Sequence, residues 1–227
     1  MPAKNSRKQY IEQSYYHLYN RGVEKRLIFM DRQDYPVFLS YLKEYLTFKD
    51  KNELYDKLND PDISYKERDK IIKLLRLNNF YNEITLVAYC LMPNHFHLLI
   101  KQNRPETIDV FMNSLCTRYS MYFNRKYKRV GSLYQDVYKA VLVTSEEQLL
   151  HLSCYIHRQA ICINKKQERI IHPCSYPEYL GKRKTSWIHP ELILGRFKED
   201  TSQLSYQVFV KQAQESNFIH KLTIEAD

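Results

Sequence analysis

The sequence predicts an α+β fold, an antiparallel sheet covered by helices on one face. Two patterns predict it. Short runs rich in β-forming residues alternate with longer stretches whose apolar residues recur at helical spacing, and the elements follow the order β-α-(insert)-β-β-α-β-α. Composition agrees. The 227 residues are 44% hydrophobic and 14% aromatic with only 4 Gly and 8 Pro, which excludes a disordered chain and a loop-rich secreted scaffold. The length exceeds one typical domain and falls short of two, so one core with additions is expected.

Residues 15–21, YYHLYNR, carry β-forming aromatics and end at Gly22, the first strand. Asp34 opens a helix with Val37, Phe38, Tyr41, Leu42 and Tyr45 on one apolar face. Residues 50–80 are charged and broken by Asp60-Pro61-Asp62, which predicts an inserted helical excursion whose second helix lies near 65–77. Two strands follow, Ile84–Met92 and 95–101, joined as a hairpin through Pro93-Asn94. Thr107 is suited to cap a long helix with Ile108, Phe111, Met112, Leu115 and Tyr122 toward a core. Gly131 ends it, and 132–143 reads as a fourth strand with turn-like Gln135-Asp136 inside. Thr144-Ser145-Glu146-Glu147 is a capping-box sequence that starts a helix running to about Ile163. Beyond it, Pro-, Gly- and Lys-rich stretches precede short helices at 191–197 and 204–213. The order is that of a ferredoxin-like, RRM-like sandwich, with a core at 10–163, an insertion at 50–80 and a C-terminal extension at 164–227. Such a fold alone implies no function.

Charge narrows the partners. The 35 basic residues exceed the 26 acidic ones by 9, which favours polyanions or acidic surfaces. Many of the 20 tyrosines stand beside Lys or Arg, the mixture a groove for single-stranded nucleic acid uses; solvated helix ends with half-buried tyrosines explain the pattern equally well. The 5 cysteines have no CxxC pair or repeated spacing, which suggests reduced thiols in a cytoplasmic protein. A polar, basic start without an apolar segment, and the absence of a run long enough to span a bilayer, make secretion and membrane insertion unexpected.

In His95-Phe96-His97 the strand alternation points both imidazoles to one side and Phe96 to the other, with Leu98 and Ile100. The histidines are therefore expected on the surface or at the margin of the main core, as a ligand pair or as two ordinary strand residues. In the helix 145–163, Leu149, Leu152, Ile156 and Ile163 form the buried stripe, while His151, Tyr155 and Gln159 form a polar one. The Tyr155 phenol and the Gln159 amide are thus neighbours. Spacing alone does not distinguish this from a tyrosine at the edge of the core.

Four segments in order, YYHLYNRG (15–22), LMPNHFHLLI (91–100), YFNRKYKRVGSLYQ (122–135) and YIH (155–157), resemble the single-tyrosine HUH transposases of insertion sequences, especially the REP-associated tyrosine transposase branch. The resemblance implies that His95 and His97 ligate a divalent metal, Mg2+ or Mn2+, that Tyr155 is the nucleophile, and that Gln159 completes the metal site. It also implies cleavage and rejoining of single-stranded DNA near hairpins through a 5′-phosphotyrosine, by monomers or by a homodimer that exchanges a helix. REP-associated members commonly carry Asn-Pro where this chain has Gln159-Ala160, and Gln is common in the mobile branch; either amide offers an oxygen to a hard cation. The candidate DNA contacts are Arg118, Tyr122, Arg125, Lys126, Lys128, Arg129, Tyr134, Tyr138 and Lys139. Competing readings are a non-catalytic single-stranded nucleic-acid-binding module, a metal-dependent phosphodiesterase using water, and a related HUH replication initiator or relaxase.

Overall fold

A computed structural model describes residues 8, 10–163, 168–197 and 202–213. Parts of the extension expected at 164–227, namely 164–167, 198–201 and 214–227, lie outside the described residues.

The apolar alternation of the strands produces a four-stranded antiparallel sheet in the order β2-β3-β1-β4. Here β1 is Tyr15–Arg21, β2 Ile84–Met92, β3 His95–Gln102 and β4 Lys139–Leu142. This is the ferredoxin-like strand order. The Pro93-Asn94 connection of the β2–β3 hairpin is held from below, since Ile28 and Phe29 donate backbone hydrogen bonds to Pro93 O at 2.8 and 3.0 Å and Gly22 donates to Asn94 O at 2.9 Å. A Cβ on Gly22 would stand 2.2 Å from Arg26 O, so only glycine fits that approach.

Helices α1 (Asp34–Leu46) and α4 (Thr107–Lys126) cover one face. Phe38, at their centre, packs on Phe96 of β3 at 5.2 Å and edge-on against Tyr119 at 5.1 Å between ring centroids. The inserted excursion forms α2 (Lys51–Leu58) and α3 (Tyr65–Arg76), the latter opened by a reciprocal Ser64/Glu67 capping box. Lys49 ties α3 down by donating to Leu74 O and Leu77 O, the end where helix carbonyls lack partners.

The opposite face is covered too. Helix α5 (Glu146–Ala160) lies on β2 and β3, and the extension adds α6 (Tyr176–Tyr179), α7 (Glu191–Leu194) and α8 (Ser202–Gln212). A second core forms there from Val87, Ala88, Cys90, Leu99, Leu152, Ile156, Tyr176, Tyr179 and Tyr206. A register shift between Leu86 and Ala88 in β2 lets successive residues, Val87 and Ala88, both join it. The expectation of helices on one face thus describes the two crossover helices; α5 and the extension make a third layer.

Three boundaries differ from the sequence reading. The helix expected to reach Ile163 stops at Ala160, because Ile161–Ile163 pairs as β5 with β6 (Glu168–Ile170), the conformation β-branched side chains favour. The strand expected over 132–143 shrinks to β4, because Gln135 N–H donates to Arg21 O, Tyr134 bridges only Gly22, and Asp136 accepts from Val137 in a turn. Thr107 is not the cap of α4: Glu106, left-handed at φ 68°, precedes it, and Thr107 is the first helical residue.

Asp34 joins the helices of the first face. Fully buried, it accepts hydrogen bonds from Lys126, Tyr122 and Tyr127 of the α4 end and from the backbone of Met30 and Asp31. Burial alone would raise its pKa, but the hydrogen bonds from Lys126, Tyr127 and the two amides outweigh it and hold the carboxyl below its ordinary value. Asp34→Asn is therefore expected to cost about 2–3 kcal/mol in urea unfolding at neutral pH. A carboxyl with a depressed folded pKa contributes fully above its unfolded value near pH 4, so the gap between wild type and variant should close as pH falls through the lowered folded value. A gap that persists unchanged at acid pH would contradict this assignment.

Candidate active site

In β3 the alternation works as the sequence predicts: Phe96, Leu98 and Ile100 enter the first core and His95 and His97 face the other way. That other side is not a surface. His97 has no exposed area and His95 is 9% exposed, because α5 and the extension cover them. The expectation of histidines at the surface is corrected accordingly.

Each ring is oriented by a neighbour. His97 stands opposite Tyr19 of β1, and its Nδ1 lies 2.9 Å from Nε2 of His17, with the rings stacked at 5.0 Å. Its Nε2 is buried and makes no hydrogen bond among the described residues. His95 Nδ1 lies 2.6 Å from Asn94 Oδ1; an amide oxygen only accepts, so Nδ1 carries the proton and Nε2 keeps its lone pair. The two rings are perpendicular with centroids 4.9 Å apart. Burial, then the charges of Arg21 and His172, push His95 down to about 4; burial, then His17, His95 and Arg21, hold His97 well below the ordinary imidazole range. Both rings are neutral at pH 7.

The tyrosine arrives on α5, whose start is set by Ser145: its Oγ accepts the Gln148 N–H at 3.1 Å, while Gln148 Oε1 accepts from Thr144. Leu149, Leu152 and Ile156 face the second core, and the next stripe round the helix places the Tyr155 ring edge-on to His97, 5.6 Å between centroids. Tyr155 is half-buried and its hydroxyl buried. One turn on, half-buried Gln159 follows on the same stripe. One turn back, His151 packs on Phe209 at 5.4 Å.

The donor set fits a divalent cation. Two neutral imidazoles lie side by side, and the outer nitrogen of each is bound to a neighbour, the arrangement by which metal-ligating histidines are held. The orphaned Nε2 of buried His97 is an otherwise costly group that a cation would satisfy. No group of three His, Cys, Asp or Glu side chains able to hold a metal occurs among the described residues.

The DNA-contact candidates divide. Arg125 and Lys128 are exposed. Arg118 pairs with Glu44 and stacks over Tyr41, Lys126 pairs with Asp31 and Asp34, Tyr122 donates to Asp34, and Arg129 donates to Asn124. Tyr134 and Tyr138 are buried in the first core, with Tyr138 donating to Asp109, and Lys139 stands 3.9 Å from Asp136. His17 and Asn94, which orient the imidazoles, were legible in sequence only as strand and turn residues. The available signal for His17 was its place two residues from Tyr19 on an alternating strand.

Residues 62–159 match the family described as "Transposase IS200 like". The match covers 98 of the 227 residues. It takes in the second inserted helix, both imidazoles and the tyrosine of α5; β1, with His17, lies outside it. Two solved structures are distantly similar. One is a REP-associated tyrosine transposase bound to a REP hairpin, 11% identical over 67% of this chain and 70% of that one, with a TM-score of 0.36. The other is a protein of Deinococcus radiodurans R1 assigned as a transposase, 20% identical over 68% of this chain and 96% of that one, with a TM-score of 0.29. No curated protein matches the chain. Among the described residues no helix is long and apolar enough to cross a membrane.

Burial of neutral imidazoles has a pH consequence. On unfolding, His95 returns to an ordinary value near 6.5, and His157, held at about 3 by burial, does the same. Between those values the unfolded chain binds more protons, so stability is full above about pH 6.5 and falls as pH drops toward 4. Urea midpoints at pH 7 and 5 should show that loss, and imidazole NMR should show His95 titrating near 4; a transition above 6 would contradict its neutral burial.

Proposed function

We propose that the chain is a single-tyrosine HUH transposase that cleaves and rejoins single-stranded DNA near hairpins, with Tyr155 as nucleophile and His95, His97 and Gln159 as the metal-holding residues. The observation that carries this reading is the edge-on meeting of the Tyr155 ring with the buried His97, beside His95, in one chain.

A divalent cation, Mg2+ or Mn2+, would supply neutralisation of the non-bridging phosphate oxygens and ease the appearance of negative charge on the phenol, whose ordinary pKa is about 10. The residues supply geometry. His17 and Asn94 fix the two imidazoles, with the Nε2 lone pair of His95 free and that of His97 free in the tautomer whose Nδ1 donates to His17, and α5 brings the phenol alongside. The Tyr155 oxygen forms a bond to phosphorus, the bond from phosphorus to the 3′ oxygen breaks, the phenol loses a proton and the departing 3′ oxygen gains one. A 5′-phosphotyrosine remains, and attack by another 3′-OH reverses the step without nucleotide hydrolysis. Exposed Arg125 and Lys128 at the end of α4 are the members of the basic set best suited to phosphates, since the others are held by internal partners.

The binding-module reading needs an open sheet on which bases stack. Tyr16, His17, Tyr19 and Tyr89 are instead buried between layers, which favours the catalytic reading.

Incubation with 5′- and 3′-labelled hairpin-containing single-stranded DNA and Mn2+ should yield a covalent protein–DNA adduct on denaturing gels, lost in Tyr155→Phe and in His97→Ala. Cleavage that survives in Tyr155→Phe would point to a water nucleophile, and binding without cleavage to the non-catalytic module. Replacing the outer partner in His17→Ala should weaken Mn2+ binding by about 10–100-fold in calorimetric titration; unchanged affinity would place the metal elsewhere.

A further inference from the structure

Two residues beyond Tyr155, His157 is fully buried and both its ring nitrogens bond to the C-terminal extension: Nε2 lies 2.8 Å from Ser175 Oγ and Nδ1 2.7 Å from the Tyr206 hydroxyl. The donors run in one direction. Ser175 Oγ accepts the Tyr89 N–H of β2 at 2.9 Å and has two acceptors for its own proton, Tyr89 O at 3.4 Å and the nearer His157 Nε2 at 2.8 Å, to which it goes. The Nδ1 proton then goes to Tyr206, whose hydroxyl donates to Ser153 Oγ at 3.1 Å, and Ser153 donates to Leu150 O at 2.7 Å. The relay begins on the backbone of the sheet and ends on the backbone of α5, and the extension supplies two of its links.

Packing reinforces it. Tyr176, Tyr179 and Tyr206 surround the His157 ring at 5.4, 4.6 and 5.8 Å, and Arg158 donates to the terminal carbonyls of α8 at Val210 and Ala213. Successive helix residues are about 100° apart, so His157 leaves α5 on nearly the opposite side from Tyr155. One points to the extension, the other to the imidazole on β3. Rotation of α5 about its axis moves both, so a fixed His157 fixes the direction of the phenol.

We propose that residues 172–197 and 202–213 are part of the catalytic unit and that Ser175 and Tyr206 are positioning residues, setting the rotation of α5 that aims Tyr155 at His97. The catalytic half of this inference rests on Tyr155 being the nucleophile; the aiming itself does not. Removing the Tyr206 hydroxyl leaves the His157 Nδ1 proton buried without an acceptor, and removing the Ser175 hydroxyl strands both the Tyr89 N–H and His157 Nε2. Either loss is relieved by a roll of α5.

The test uses the full chain with isotope-labelled histidine and needs no DNA. Tyr155→Leu identifies the ring-current contribution of the phenol to the His97 imidazole signals. In Tyr206→Phe and Ser175→Ala those signals should move most of the way to their Tyr155→Leu positions or broaden. In Asp34→Asn, destabilised from the opposite face, they should stay at the wild-type positions. With labelled hairpin DNA at saturation, the same two variants should form adduct about 10–100-fold more slowly at unchanged DNA affinity. Circular dichroism checks folding, and if Tyr206→Phe does not fold, Ser175→Ala and the milder Ser153→Ala carry the measurement. Wild-type His97 signals in the folded variants would overturn the positioning role. A wild-type chain that forms no adduct would overturn the nucleophile and leave the NMR result to decide the aiming by itself.

Discussion

The hydrogen bond between His17 and His97 organises the face of the sheet that carries both imidazoles. An imidazole with no exposed surface cannot be charged cheaply and cannot leave both nitrogens without partners. Pairing Nδ1 of His97 with a second buried imidazole meets one requirement and fixes the ring plane. The remaining nitrogen then has one direction in which to act, toward the volume shared with His95 and Tyr155. That arrangement requires the face to be dry, and dryness requires the third layer. The covering helices, the neutral rings and the position of the tyrosine therefore follow from one buried pair.

Asp34 plays the corresponding part on the other face with opposite electrostatics. A carboxylate without exposed surface is kept ionised by Lys126, two phenols and two amides, and it draws the end of α4 onto the start of α1. Much of the basic, tyrosine-rich run at 118–129 is consumed in such internal pairings. Charge in that stretch is thus partly structural, which a count of lysines and arginines does not reveal.

Local patterns carried most of the architecture. The alternation of His95-Phe96-His97, the hairpin at Pro93-Asn94 and the stripe that holds Tyr155 each depend on residues close in sequence, and each was legible there. What was not legible depends on register and on distant cover. His17 becomes the partner of His97 only once β1 lies antiparallel to β3, and His157 gains its partners only once Ser175 and Tyr206 fold back onto α5. Those residues come from stretches with no strong periodicity, so their part in a core left no mark at short range. The shortening of β4 has the same origin, since the Tyr134 and Tyr138 rings find better burial in the first core than in an extended ladder.

The joints of α5 bear on where its tyrosine can sit. Only residues 143–145 separate β4 from α5, a reach of about 10 Å when extended, and β5 begins directly after Ala160. A connection that short keeps the start of α5 close to the end of β4. Within this chain the short connection and the ring contact go together, since the helix that starts three residues after β4 carries the Tyr155 ring onto His97.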